Sequence, residues 1–237
     1  MPRRLRQQRR GKGKPRYIAR TFRSPGAVGY PPILDAVISG EIVDIFHSPF
    51  HTAPLMEVRW ETGEKSFLVA PLGIKVGDII KIGPGAEASV GNILPLSDIP
   101  VGSEIMMIEL RPGDGGKIVR TAGSSARLIS KDEKYAYIAL PSKEIKMFNL
   151  KCRAMIGKVA GGGRKEKPLL KAGRVYYIRR KKGKRWPIVA ACAMNAVDHP
   201  FGGKGRRLSK PKTVSRNAPP GKKVGSIAAR RTGRRKK

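Results

Sequence analysis

Short runs of β-branched and apolar residues, alternating with polar ones and bounded by Gly, Pro and Asp, fill residues 36–159 of the chain. Alternation with a period of two over five to ten residues is the pattern of strands that bury one face. A first set runs Ala36 to Phe46, Leu55 to Trp60, Ser66 to Ala70 and Asp78 to Ile82, and Gly83-Pro84-Gly85 closes it. A second set runs Ser103 to Leu110, Lys117 to Thr121, Ala126 to Ser130, Tyr135 to Leu140, Glu144 to Phe148 and Cys152 to Val159. Turn chemistry at Pro112-Gly113-Asp114-Gly115-Gly116 and at Pro141-Ser142 separates these runs. Almost no helical periodicity precedes residue 190. The pattern therefore predicts an all-β protein of two small barrels in tandem, with Pro95 to Pro100 as the junction. The 28 Gly and 19 Pro suit short strands and tight turns.

Charge divides the same chain differently. The 237 residues carry 50 Lys and Arg against 17 Asp and Glu, a formal net charge of +33. Residues 31–150 hold 12 basic and 15 acidic residues, so the strand region is nearly neutral. Residues 1–25 hold ten basic residues and no acid, residues 151–237 hold 28 basic residues against Glu166 and Asp198, and Phe201 to Lys237 holds 14 basic residues and no acid. Such acid-free arms repel themselves and order on a polyanion. Nucleic acid fits best, because each phosphate neutralised also releases condensed counterions. The basic candidates for phosphate contact are Arg3, Arg4, Arg9 and Arg10 in the first arm, Arg164, Lys165, Arg174, Arg179, Arg180 and Lys181 beyond the strands, and Lys204, Arg206, Arg230, Arg231 and Arg234 in the tail. No run approaches the ~20 apolar residues of a membrane span and no secretory signal pattern opens the chain, so a cytoplasmic protein without a membrane partner is expected.

Few motifs suggest other chemistry. Cys152 and Cys192 have no second Cys or His at zinc-finger spacing. His47 and His51 lie four apart, but Pro49 between them opposes the helix that would make them a metal pair. Gly161 to Gly163 followed by Arg164 and Lys165 lacks the Gly-Lys-Ser/Thr ending of a nucleotide-binding loop; it is either a flexible joint or a backbone donor to an RNA phosphate. No cofactor is expected.

The most distinctive stretch is Ala193 to Gly203, AMNAVDHPFGG, a nearly uncharged island inside the basic third of the chain. Bulk electrostatics does not require it. Asn195, Asp198 and His199 offer donors and acceptors to base edges or ribose hydroxyls, Phe201 offers a stacking face, and Gly202-Gly203 permits close backbone approach. A capped turn, with Asp198 bonding local amides, is the alternative. Adjacent Asp198 and His199 lack the nucleophile that a catalytic relay needs.

At these residues the sequence resembles the ribosomal protein L-two family, the universal second protein of the large ribosomal subunit, in its archaeal and eukaryotic form. The resemblance rests on GNILPLSDIPVGSEI (Gly91 to Ile105), ELRPGDGGKIVRTAGSSA (Glu109 to Ala126), AGGGRKEKPLLKAGRVYY (Ala160 to Tyr177), AMNAVDHPFGG (Ala193 to Gly203) and SRNAPPGKKVGSIAARRTGR (Ser215 to Arg234). It implies a basic N-terminal arm over 1–35, an oligonucleotide-binding-type barrel over 36–95, an SH3-like barrel with a basic extension over 96–190, and a basic RNA-threading tail over 191–237. It also implies a structural role, not an enzymatic one: binding large-subunit ribosomal RNA near the peptidyl transferase region, supporting assembly, subunit association and transfer RNA placement, beside other ribosomal proteins and with a bridge to the small subunit. A free homo-oligomer is not implied. The family's Asp-His-Pro histidine falls on His199, with Met194, Asn195, Asp198, Gly202 and Gly203 around it. Ala190-Ala191 stand where the family usually has Arg-Gly, and Phe201 stands where bacterial members carry a second His.

Two other classes compete. A DNA-compacting chromatin protein would show the same charge but has no use for the weakly charged island. An enzyme acting on RNA would need a clustered acid, base or metal set, whereas the acidic residues are scattered.

Overall fold

The computed structural model describes residues 10–19, 21–33, 36–204 and 211–231. It divides into two compact units, Arg20–Leu170 and a second that joins Met1–Ala19 to Lys171–Lys237.

The first unit holds one ten-stranded sheet. Its strands are β1 (Ile38–Phe46), β2 (Leu55–Trp60), β3 (Lys65–Val69), β4 (Ile79–Ile82), β5 (Ile93–Pro95), β6 (Glu104–Met106), β7 (Ala126–Lys131), β8 (Tyr135–Ala139), β9 (Ile145–Asn149) and β10 (Arg153–Ile156). Their order across the sheet is β3-β2-β1-β4-β5-β10-β6-β7-β8-β9. All neighbours are antiparallel except β4 and β5. The all-β class expected from the alternation is therefore the observed one. Inward residues such as Ile42, Leu55, Leu68, Ile80, Ile93 and Ile105 are fully buried in one hydrophobic cluster. Each such side chain contributes roughly 1.5–3 kcal/mol by leaving water.

The sheet also folds back on itself. The chain after β3 meets the chain after β10 through an antiparallel bridge between Pro71 and Val159, with the Leu72 amide donating to the Lys158 carbonyl (2.7 Å) and the Ala160 amide to the Ala70 carbonyl (3.0 Å). These contacts close β3-β2-β1-β4-β5-β10 into a ring, satisfying backbone groups that an open edge would leave to solvent.

Four features differ from the sequence expectation. β5 ends on Pro95, the first residue of the Pro95 to Pro100 stretch that reads as a junction, and it pairs with β10 at Arg153↔Pro95, Ala154↔Leu94 and Met155↔Ile93, so the two strand sets share one sheet. β6 ends early because Met107 takes φ 52°, and β10 ends at Ile156 because Gly157 takes φ 122°. The Lys117 to Thr121 run forms only a bridge between Ile118 and Ile108, since Val119 takes φ 56°. Finally, a helix, α1 (Ala172–Lys181), stands where the pattern suggested none.

In the second unit α1 is followed by Gly183 (φ 63°), which is buried. A Cβ there would sit 2.7 Å from the Ala19 nitrogen, so residues Tyr17 to Ala19 of the N-terminal arm cross at a glycine. Two short parallel strands, β11 (Thr213–Val214) and β12 (Ser226–Ile227), tie the tail together.

Candidate nucleic-acid interface

The island between Ala193 and Gly203 is a closed backbone structure. A 3-10 turn at Ala191–Ala193 leads into extended Met194. The Asn195 carbonyl then accepts the amides of Asp198 (3.0 Å) and His199 (3.2 Å), the His199 carbonyl accepts Gly202 (2.9 Å), and the Met194 carbonyl accepts Gly203 (3.0 Å). Consecutive turns bring the ends of the island together. Gly202 is buried at that closure, where a Cβ would overlap the Met194 and Asn195 carbonyls, and Gly203 takes φ 101°. The paired glycines are thus required by backbone packing within the island itself.

His199 is fixed by the same geometry. Its Nδ1 accepts the Phe201 amide at 3.0 Å, and the two rings lie 5.1 Å apart at 55°. Because Nδ1 accepts that hydrogen bond it carries no proton of its own, so the neutral imidazole holds its proton on Nε2. A general base needs an accepting nitrogen, so this arrangement suits recognition better than proton abstraction. Phe201 is half-buried against the tail: a Cβ on Gly225 would fall 2.8 Å from its ring. Asn195, Asp198 and Lys204 are exposed and Met194 is half-buried.

The glycine loop at Gly161 to Gly163 is likewise tied by backbone contacts. A Cβ on Gly123 would lie 2.7 Å from the Gly162 Cα, and the Gly163 carbonyl accepts the amides of Glu166 (3.0 Å) and Lys167 (3.2 Å). Arg164 donates from Nη1 to the Thr52 carbonyl at 2.6 Å, and both Arg164 and Lys165 are exposed. Arg10, Arg174, Arg179, Arg180, Lys181, Arg230 and Arg231 are exposed in the second unit. Arg3, Arg4, Arg9, Arg206 and Arg234 lie outside the described residues.

Sequence reasoning missed a buried ionic node. Glu109 is fully buried and Arg153 nearly so; Arg153 Nη2 lies 2.7 Å and its Nε 3.1 Å from Glu109 Oε1. The Arg153, Gly113 and Gly115 amides also donate to the carboxylate, and Arg153 Nη1 donates to the Pro31 carbonyl at 2.9 Å. Tyr30 lies under the guanidinium at 5.4 Å and donates its hydroxyl to the Met107 carbonyl at 2.7 Å. Burial first, and then the Glu109 carboxylate, push the Tyr30 phenol well above its ordinary range. The available signal was Arg153 itself, a cation inside an apolar strand, which demands a buried counter-charge.

Among the described residues no three His, Cys, Asp or Glu side chains gather as a metal set, and no helix is long and apolar enough to cross a membrane. In the histidine pair, His51 Nδ1 lies 2.9 Å from Ser48 Oγ.

Residues 89–223 match the family model described as ribosomal proteins L2, C-terminal domain. Over the whole chain the sequence is 50% identical to the large ribosomal subunit protein uL2 of Methanocaldococcus jannaschii and 49% identical to that of Methanothermobacter thermautotrophicus, each also covered completely. It is 47% identical to the uL2 of Haloarcula marismortui over 99% of this chain and 98% of that protein. The closed glycine turn and the basic segments around it thus stand within an alignment that runs the full length of the archaeal relatives, and the chain belongs to the ribosomal protein L2 family.

Proposed function

We propose that this chain is a structural constituent of the large ribosomal subunit, cytoplasmic as part of the ribosome and not an enzyme. It binds large-subunit ribosomal RNA near the peptidyl transferase region, beside other ribosomal proteins, and supports assembly, subunit association, transfer RNA placement and a bridge to the small subunit. The barrel over 36–95 and the barrel with its basic extension over 96–190 form the docking body, and the segments 1–35 and 191–237 reach into the RNA.

One observation carries this reading: a hydrogen-bonded, nearly uncharged turn that holds His199 sits inside an acid-poor basic segment. Flanking Lys and Arg supply affinity through phosphates, while a fixed set of amides, carbonyls and one imidazole supplies shape recognition of RNA. His199 organises RNA here. The test is co-sedimentation of the tagged chain with large subunits through a high-salt wash. Retention on the large subunit is expected; recovery with free protein or with DNA would refute the assignment.

A further inference from the structure

Helix α1 is the element whose stability the fold does not explain. None of its ten residues is buried, its N-cap Lys171 makes no side-chain cap bond, and its first turn holds no acidic residue. Gly173 lies inside it. Isolated helices shorter than ~12–15 residues are marginal in water, and interior glycine weakens them further. Such a helix requires an external surface.

Charge specifies the chemistry of that surface. Between Glu166 and Asp198 the sequence has nine Lys and Arg and no carboxylate, and Arg179, Arg180 and Lys181 form the last turn of the helix. A polyanion complements this set. Charge does not account for Tyr176 and Tyr177, which are 41% and 62% exposed. Their rings meet edge to face, with centroids 5.5 Å apart and planes at 80°. Rings so nearly perpendicular cannot belong to one continuous stack, so each offers its open face to a separate planar group. In RNA the planar groups within reach are unpaired bases, since in a duplex the faces of each base are covered by its stacked neighbours, whereas single-stranded bases splay out onto aromatic rings.

We propose that α1 is a base-stacking element, in which Tyr176 and Tyr177 each receive an unpaired base of large-subunit ribosomal RNA while Arg174, Arg179, Arg180 and Lys181 hold the flanking phosphates. This rests on the reading of the chain as a large-subunit RNA binder. The RNA supplies a surface to a helix none of whose residues is buried, and the helix is stabilised by being enclosed.

The experiment titrates the full-length chain with deproteinised large-subunit ribosomal RNA over a series of KCl concentrations. Failure of the wild-type chain to bind would overturn the functional reading itself, before any variant is compared. With binding established, replacing both tyrosines, Tyr176→Leu with Tyr177→Leu, is expected to weaken affinity by at least about tenfold with an unchanged salt slope, because stacking releases no counterions. Leucine forms helix better than tyrosine, so that loss would not reflect a melted helix. The pair Tyr176→Phe with Tyr177→Phe keeps the π-faces and should bind like wild type. Arg179→Gln with Arg180→Gln should instead flatten the log-log salt slope by roughly 1.4 to 1.8. Wild-type affinity in the leucine pair would overturn the proposal, as would an equal loss in the phenylalanine pair.

Discussion

Met107 and Val119 hold φ of 52° and 56°, a region that disfavours residues with a Cβ, and their neighbours explain why they persist there. The Met107 amide donates to the Val119 carbonyl at 3.0 Å, and its own carbonyl accepts the Tyr30 hydroxyl. Next along the chain, Glu109 meets Arg153, and the pair lies among these strained residues. Breaking a buried ion pair leaves an uncompensated charge, so Glu109→Gln should destabilise the first unit by about 3–5 kcal/mol, read from urea unfolding. A change within error of wild type would show that the pair is dispensable. Cys152, also buried here, has its thiol pushed up to about 11, mainly by burial and then by the Glu109 carboxylate. Below the ordinary thiol value of 9.0 both folded and unfolded chains keep the proton; between 9.0 and about 11 the unfolded chain ionises first, so stability must fall as pH rises. Tyr30 acts with the same sign above its own ordinary value of 10.0. The urea midpoint should therefore drop between pH 8 and pH 10.5, and the drop should shrink in Cys152→Ala. Equal drops in both proteins would contradict the assignment to Cys152.

At the scale of elements, β1 and β2 pair Gly40 with Trp60. The indole lies over the glycine, since a Cβ on Gly40 would come within 2.6 Å of the ring, and Trp60 Nε1 donates to Ser66 Oγ at 2.7 Å. Gly40→Val should expel the ring, lower stability by about 1–3 kcal/mol and change the tryptophan emission. Unchanged emission would mean that the strands separate to admit the side chain. Alternation made most strands legible in the sequence, because each buries alternate residues such as Leu128 in β7 and Ala136 and Ile138 in β8. β5 escaped because three residues are too few to show a period, and what defines it is its pairing with the distant β10. α1 escaped for a different reason: with no buried face it has no apolar stripe to read. Met107 and Val119 carry ordinary apolar side chains, so their sequence gives no warning of a left-handed backbone.

Over the whole molecule, the division of charge was legible from composition, whereas the geometry of the island was not. Asn195, Asp198, His199 and the paired glycines stood out as residues, but only the backbone explains why Gly202 cannot bear a Cβ and why His199 Nδ1 is held by the Phe201 amide. The Glu109–Arg153 node joins residues 44 positions apart and needed the fold to bring them together. Imidazole replacement tests the role of the island: if His199 organises RNA, His199→Gln should assemble into reconstituted large subunits nearly as wild type and His199→Ala poorly, with assembled particles of both retaining peptide-bond formation. A loss of about 100-fold or more in fully assembled Gln particles, tracking a histidine-like pKa, would instead indicate a general base. The central claim is that shape, and not charge alone, directs this protein to ribosomal RNA. It is tested most directly by the ratio of dissociation constants for large-subunit ribosomal RNA and for duplex DNA with the same number of phosphates at one salt concentration, measured for wild type and for Gly202→Ala, which alters the turn and leaves the charge untouched. The account predicts a preference for RNA in wild type that falls by at least about tenfold in the variant; equal affinities of the wild type for the two nucleic acids would contradict it.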